Sequence, residues 1–545
     1  MKSIGLAGLG LAGLLSAGLT LSCGGGDGPK PAPEPEAPPA LTTLEQGWDE
    51  AAMHGFWFTP QGSRLVPYDW FLGLEQKGSD ELFRSNENLD RLRFIPAAAG
   101  PYNPDGLPIG FTKEPAEGDG PAYLGMTCAA CHTGRIDYDD VHLVIDGGPA
   151  LHDFNTFLDE LLAAMQATLA DEGKLDRLAK RLGASDPAAL RESLGEATDA
   201  LADRLTLNKP DHPAGFARVD AFGNIFNEVS TAFLGVPENG MPPNAPVSYP
   251  PLWDTPQHDR VQWNGSAINA GAGPLVRNAG EVMGVFGSLD FAPLPDNGGY
   301  SSTIRTANLA QLEDWITTLE SPQWPAALPA IDAAKAEAGA AIYERTCVNC
   351  HPKIERADPA RTVKATMVPL ATVGTDPEMA RQFGRISKTG SLEGRPAAFV
   401  AGAPLPAQAP TGFLVVNGVI GSLVGRPVEG LPDLLKAYFG ARAQQPANEP
   451  PSYKARPLNG VWATAPYLHN GSAPTLRAML TPPAERPKTF RLGSREYDPA
   501  AVGYKDGGSF VYDTALPGNS NLGHPFGTDL DEDSKGQLIE YLKSL

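Results

Sequence analysis

The 545-residue chain predicts a mainly α protein of two domains, with long loop insertions and few short strands. Three observations carry that expectation. Two short motifs, "CAACH" at 128–132 and "CVNCH" at 347–351, stand in opposite halves of the chain and use four of its five cysteines. Apolar residues recur at helical spacing in several stretches. Glycine and proline, 60 and 53 residues spread throughout, mark long ordered loops between the helices.

In chain order, Lys2 gives a basic start and Ile4 to Leu21 is apolar. Ser22 before Cys23 then resembles a bacterial lipoprotein cleavage and lipidation site, with an ordinary secretory signal as the alternative. Residues 1–23 are therefore read as an export signal with Cys23 as the lipidation site. Residues 24–40, "GGGDGPKPAPEPEAPPA", form a tether with no means of building a core. No later stretch is long and apolar enough to span a bilayer. The remaining length suits two domains, 41–330 and 331–545.

Within the first domain, "VHLVID" at 141–146 alternates as a strand does. Phe154, Phe157, Leu158, Leu161, Leu162 and Met165 mark a helix from Asp153 to Thr168. Leu309, Leu312, Trp315, Ile316 and Leu319 mark a closing helix, stopped by Pro322 and Pro325. The second domain opens with "AAKAEAGAAIYERT", a helix running straight into the second motif. It ends with "DEDSKGQLIEYLKSL", in which Ser534 is the expected N-cap and Leu538, Ile539 and Leu542 share a face. An opening helix, a C-x-x-C-H motif and a closing helix form the cytochrome c arrangement. The length beyond one cytochrome lies between about 390 and 455, in loop-like sequence.

C-x-x-C-H is the attachment signature of c-type haem. Two thiols one helical turn apart add to the haem vinyl groups, and the histidine that follows binds the iron. Cys128 and Cys131 thus hold one haem with His132 as proximal ligand, and Cys347 and Cys350 hold a second with His351. A zinc site or a thioredoxin-like redox pair requires no histidine directly after the second cysteine. The expected cofactors are two covalently bound haem c groups. With 43 basic against 64 acidic residues, the net charge of −21 excludes nucleic acid and anionic lipid as partners.

"RPLNGVWATAPYLHNGSAPTLRAML", Arg456 to Leu480, resembles the segment that di-haem cytochrome c peroxidases carry near their second haem. "QGSRLVPYDWFLGLEQ", "DGLPIGFTKEP", "VIDGGPALHDF", "VPLATVGTDPEMARQF" and "AERPKTFRLGSREYDPAAVGY" are similar to the haem-containing rubber oxygenases, and this likeness runs from about Trp48 to Leu545. The resemblance implies a reactive N-terminal haem on His132, with peroxide or dioxygen opposite. It implies an electron-relaying C-terminal haem between His351 and His524, with Met479 as the rival to His524. His524 also stands just before the closing helix, in a Gly-flanked loop that directs a side chain inward. Trp263 matches the tryptophan those oxygenases carry near their reactive iron, whereas Asn278 or Ala279 takes the place of their phenylalanine. A calcium ion between the domains is also implied, although no ligand loop is legible.

The open face of the first haem is expected from 261–291, which supplies Trp263, Arg277, Asn278, Glu281 and Phe286. Peroxide cleavage asks for an acid/base group, here Glu281, and a polar group such as Arg277. The alternative has Arg277 pairing with a haem propionate and Glu281 neutralising Arg277. His142 and His152 are secondary candidates for the same face, and His469 is expected at the edge of the second haem. The apolar run Gly412 to Gly425 either lines a channel or forms core. Three functions follow: a di-haem peroxidase served by a small cytochrome or cupredoxin-type donor, a dioxygenase cleaving C=C bonds of an apolar polyisoprenoid, or a surface electron carrier. The sequence reads as a haem-dependent oxidoreductase, exported to the periplasm or cell surface. Gly24 lacks the aspartate that retains lipoproteins at the inner membrane, so an outer-membrane anchor is expected.

Overall fold

Two helices close on each other around a single glycine. The helix Ala333–Thr346 crosses the helix Glu532–Lys543 so tightly that a Cβ on Gly339 would lie 2.0 Å from the Gln537 carbonyl oxygen and 2.9 Å from Tyr541. Before residue 330, the helix Glu50–Phe58 crosses the helix Thr306–Thr317 in the same manner, with Gly55 against the Trp315 ring. These are the opening and closing helices that the sequence predicts around the second motif, together with their N-terminal counterparts. The N-cap of the last helix is Asp531, whose carboxylate accepts from the Ser534 backbone N–H, rather than Ser534 itself. An aspartate three residues earlier satisfies the same orphan donors and adds a favourable charge at the helix start.

This computed structural model describes residues 40–356, 358–444 and 449–545. Cys23 and the expected export signal, residues 1–23, lie outside the described residues. No described helix is long and apolar enough to cross a membrane. The protein is mixed α/β, 39% helical and 16% strand, rather than mainly α. The strands form nine sheets of two or three strands among the described residues. Pairs such as Arg218–Val219 with Val247–Ser248 are too short to show a period in sequence, which is why the expectation of few strands fell short. The strand at 141–146 is present as Val141–Asp146, paired antiparallel with Thr133–Tyr138. The helix expected from Asp153 is Phe154–Ala170, capped by the Asp153 carboxylate.

The apolar cores draw on both sides of residue 330. One joins Phe56, Ala279 and Leu309 to Leu414, Ile420 and Leu435. Another joins Ile136 and Trp253 to Trp462, Tyr497 and Leu538. The apolar run at 412–425 is a core helix, Thr411–Gly425, laid against the helix Gly273–Gly284. Elsewhere, the helix Glu172–Leu182 is tied down by buried Glu75, which pairs with Lys174, Arg177 and Arg181.

Two stretches repeat each other at constant spacing. Left-handed backbone occurs at Asp254 and Gly460 (φ 66° and 67°), at Gln262 and Leu468 (70° and 63°), and at Gly265 and Gly471 (64° and 69°). Short 3-10 turns lie at Thr255–Gln257 and Val461–Ala463, and Val261 pairs with Ala267 as Tyr467 pairs with Ala473. The stretches also bond each other reciprocally. Lys454 N–H donates to the Trp263 carbonyl at 2.7 Å, and Ser248 N–H donates to the His469 carbonyl at 2.8 Å. Such reciprocity is what a local two-fold relation produces.

Candidate haem-binding sites

Each C-x-x-C-H motif forms one tight turn. The His132 N–H bonds the Cys128 carbonyl at 3.0 Å, and the His351 N–H bonds the Cys347 carbonyl at 2.9 Å. One turn puts both thiols of a pair on the same side, as thioether attachment requires. All four cysteines are free and partly accessible. Burial pushes the Cys131 thiol up to about 12 and Cys347 to about 11, the opposite of the lowering that marks redox-poised thiols.

The two motif histidines are held alike. His132 Nδ1 lies 2.9 Å from the Pro250 carbonyl oxygen, and His351 Nδ1 lies 2.7 Å from that of Arg456. A carbonyl only accepts, so Nδ1 carries the proton and Nε2 presents its lone pair to a metal. Burial lowers His132 to about 4, against the bond to Pro250 and with help from the Arg277 charge. Burial lowers His351 as well. Both rings are thus neutral, the form that ligates.

Across from His351 stands His524. Its ring centroid is 6.3 Å from that of His351. An iron bound at about 2 Å to a nitrogen of each ring holds the two ring centres about 6 Å apart, so the pair fits a six-coordinate haem. The His524 loop is fixed by its N–H to the Val373 carbonyl at 2.7 Å. It is fixed further by Arg486, which donates to the carbonyls of Asn521, Gly523 and His524 at 2.6, 2.9 and 3.0 Å. Arg486 also takes the Met479 carbonyl, and the Met479 side chain packs into the core around Tyr343 and Leu538. The role of Arg486 was not read from the sequence, since its partners are all backbone oxygens. Among the described residues, no imidazole faces His132 as His524 faces His351.

Near the first motif, Arg277 and Glu281 lie one turn apart on one face of the helix Gly273–Gly284. Glu281 and Glu313 both help hold the Cys128 thiol protonated, after burial, which places them within electrostatic reach of the motif. The ion partner of Arg277 is Glu313 on the closing helix, and Asn269 and Asn278 accept from the same guanidinium at 3.0 and 3.1 Å. The direct ion pair is thus with Glu313, while Glu281 adds to the negative charge that favours the Arg277 guanidinium. Glu281 itself accepts from Gln262 Nε2 at 2.9 Å. Burial raises its pKa, with Arg277 and Gln262 opposing.

Trp263, one residue on, points elsewhere. Left-handed Gln262 turns the chain so that the Trp263 indole donates to the Ser248 carbonyl at 2.7 Å and lines a cavity with Tyr249, Pro251 and Arg456. Trp263 therefore sits between the supports of the two motif histidines. Phe286 packs on Phe154 beneath Arg204, in the core around Phe111 and Leu158. His142 is engaged by Asp137 and Arg135, and His152 stacks on Phe94 and meets the Tyr249 hydroxyl at 3.1 Å. His469 stacks on Tyr453. No group of three or more His, Cys, Asp or Glu side chains among the described residues is arranged to hold a metal ion such as the implied calcium.

Comparison with known proteins now bears on these sites. A family profile described as "RoxA-like, cytochrome c-like" matches residues 452–491, which include the Arg456 carbonyl that holds His351. The uncharacterized protein y4iJ of Sinorhizobium fredii (strain NBRC 101917 / NGR234) is 32% identical over 580 residues, covering 93% of each chain. The chain belongs to the y4iJ family. A second relative from that strain, the uncharacterized protein y4iM, is 27% identical over 361 residues, covering 61% of this chain and 72% of its own. This chain is thus cytochrome c-like in the segment that supports His351.

Proposed function

We propose that the protein is a di-haem oxidoreductase in which the haem on His132 meets the oxidant and the haem on His351 delivers electrons. The observation that carries this reading is the contrast between the two histidines: His351 is faced by His524, whereas His132 has no facing imidazole among the described residues. When bound, the haems supply irons that pass single electrons and, where a sixth position is open, take a small oxidant. The protein's share follows from its own groups. His132 and His351 are fixed as neutral Nε2 ligands by Pro250 and Arg456. Glu281, kept toward its protonated form by burial and oriented by Gln262, would give its proton to the outer oxygen of a peroxide, which leaves as water, and would regain one from the inner oxygen. Arg277, neutralised by Glu313, orients polar oxygens without adding net charge.

The resemblance of several segments to the rubber oxygenases favours a second reading, a dioxygenase acting on C=C bonds of an apolar substrate. The test is the sixth ligand of the His132 haem, read by electronic absorption and EPR with and without peroxide. An open or water-bound iron that reacts with peroxide supports the first reading. A stable dioxygen complex indifferent to peroxide supports the second. Two protein ligands in both redox states would leave only an electron carrier. Export with lipid attachment at Cys23 belongs to the same proposal, as does a small redox donor at the His351 haem.

A further inference from the structure

The supports of the two motif histidines are joined to each other. His132 Nδ1–H donates to the Pro250 carbonyl at 2.9 Å. One peptide unit on, the Pro251 carbonyl accepts from Arg456 Nη1 at 3.2 Å. The backbone carbonyl of that same Arg456 accepts from His351 Nδ1 at 2.7 Å. Three hydrogen bonds and otherwise covalent links thus run from one imidazole to the other, and Arg456 is the one side chain in the path. Its guanidinium is clamped, lying 3.4 Å from the Trp253 carbonyl, 3.9 Å from the Asp254 carboxylate and above the Trp253 ring. Asp254 is fully buried, held by Arg361 at Oδ1 and by Asn459 at the Oδ2 that faces Arg456.

Pro250 and Arg456 are equivalent positions of the repeated stretch, and the repeat is broken there in one respect. Each supplies the carbonyl for its own histidine, yet only Arg456 carries a side chain long enough to reach across to the other stretch. A proline at both positions would hold both ligands equally well and leave the stretches unlinked at this point. The arginine is therefore not needed for ligand orientation, which its backbone oxygen alone provides.

We infer that Arg456 is a positioning residue for electron transfer, bridging the backs of the two haem ligands. This rests on the reading that both motifs carry haem. One electron passes from the ferrous haem on His351, which becomes ferric, to the ferric haem on His132, which becomes ferrous. Arg456 is neither oxidised nor reduced, and no proton moves along the path. The side chain shortens the gap between two hydrogen-bonded ligand supports and holds it constant, as polar partners behind metal-bound histidines do.

The experiment uses full-length protein with its haems counted by mass spectrometry. Electrons are injected by pulse radiolysis, and equilibration between the haems is followed by absorption. Arg456→Met, which keeps the backbone carbonyl and much of the packing, is expected to slow equilibration by about tenfold while both haems stay attached with unchanged ligand spectra. Arg456→Lys, which keeps the charge but not the fork that reaches Pro251, is expected to slow it likewise at unchanged midpoint potentials. The lysine variant carries the comparison if the methionine variant fails to fold. An unchanged rate in a folded two-haem variant overturns the inference and leaves the di-haem reading standing, as does a loss confined to Trp263→Phe. Fewer than two haems in the unaltered protein overturns both.

Discussion

The imidazole of His351 faces that of His524 at a centroid distance of 6.3 Å, the spacing of two axial ligands on one iron. His524→Ala is expected to leave the C-terminal haem attached while opening its sixth position. The measurement is the ferric absorption and EPR spectrum, which should gain a high-spin component from that haem. An unchanged low-spin spectrum would assign the ligand elsewhere, with Met479 next in line.

Covalent attachment is tested by subtraction. The purified protein should show a mass increment of two haems, and the double change Cys347→Ala with Cys350→Ala should remove one. The pair Cys128→Ala with Cys131→Ala should remove the other. Retention of both haems in either variant would contradict attachment at that motif.

Glu281 separates the two chemistries, because peroxide cleavage needs an acid at that place and alkene oxygenation does not. Glu281→Gln keeps the bond to Gln262 available but removes the acid, and peroxide turnover is expected to fall by roughly 10²-fold or more with haem content intact. Oxygen-dependent consumption of an apolar alkene would be little affected by that change. If Glu281→Gln is silent on peroxide while oxygen-dependent alkene consumption is observed, the peroxidase reading is lost.

Glu75 gives the fold a specific acid sensitivity. Despite the opposing effect of burial, its bonds from Arg177, Arg181 and Lys174 hold its pKa down at about 2, against an ordinary 4.5. A carboxyl lowered on folding stabilises fully above its unfolded value and loses that contribution as pH falls from about 4.5 toward 2. The span corresponds to about 3 kcal/mol. In denaturant titrations, Glu75→Gln should be destabilised at neutral pH and show a shallower decline over that window. A decline parallel to the parent's would remove Glu75 from the acid response.

The motif turns, the long helices and the strand at 141–146 were legible because period and spacing are local properties. His524 came instead from the resemblance to the rubber oxygenases, with its place in a Gly-containing loop before the closing helix as local support. Glu313 was not legible, because its pairing with Arg277 depends on how two helices cross, and on its own helix it reads as an ordinary polar position. The repeat from 250–267 to 456–473 was present in the sequence, as "NGSA" follows both Trp263 and His469. Few identities mark it, and the shared left-handed turns that make it unmistakable are visible only in the backbone. The direction of Trp263 was hidden for the same reason, since it is set by the φ of Gln262 rather than by composition.

His524 itself adopts a left-handed backbone, at φ 46°, directly after Gly523 at 77°. Most residues with a Cβ resist that conformation by about 1–2 kcal/mol. The loop thus keeps a side chain where glycine would be more comfortable, and the imidazole is retained against a local conformational preference. His524→Gly should accordingly relax the loop where His524→Ala does not, yielding a better-folded protein with a ring-sized hollow. Free imidazole diffusing into that hollow should restore the low-spin spectrum, separating what the ligand atom contributes from what the chain gives up to place it.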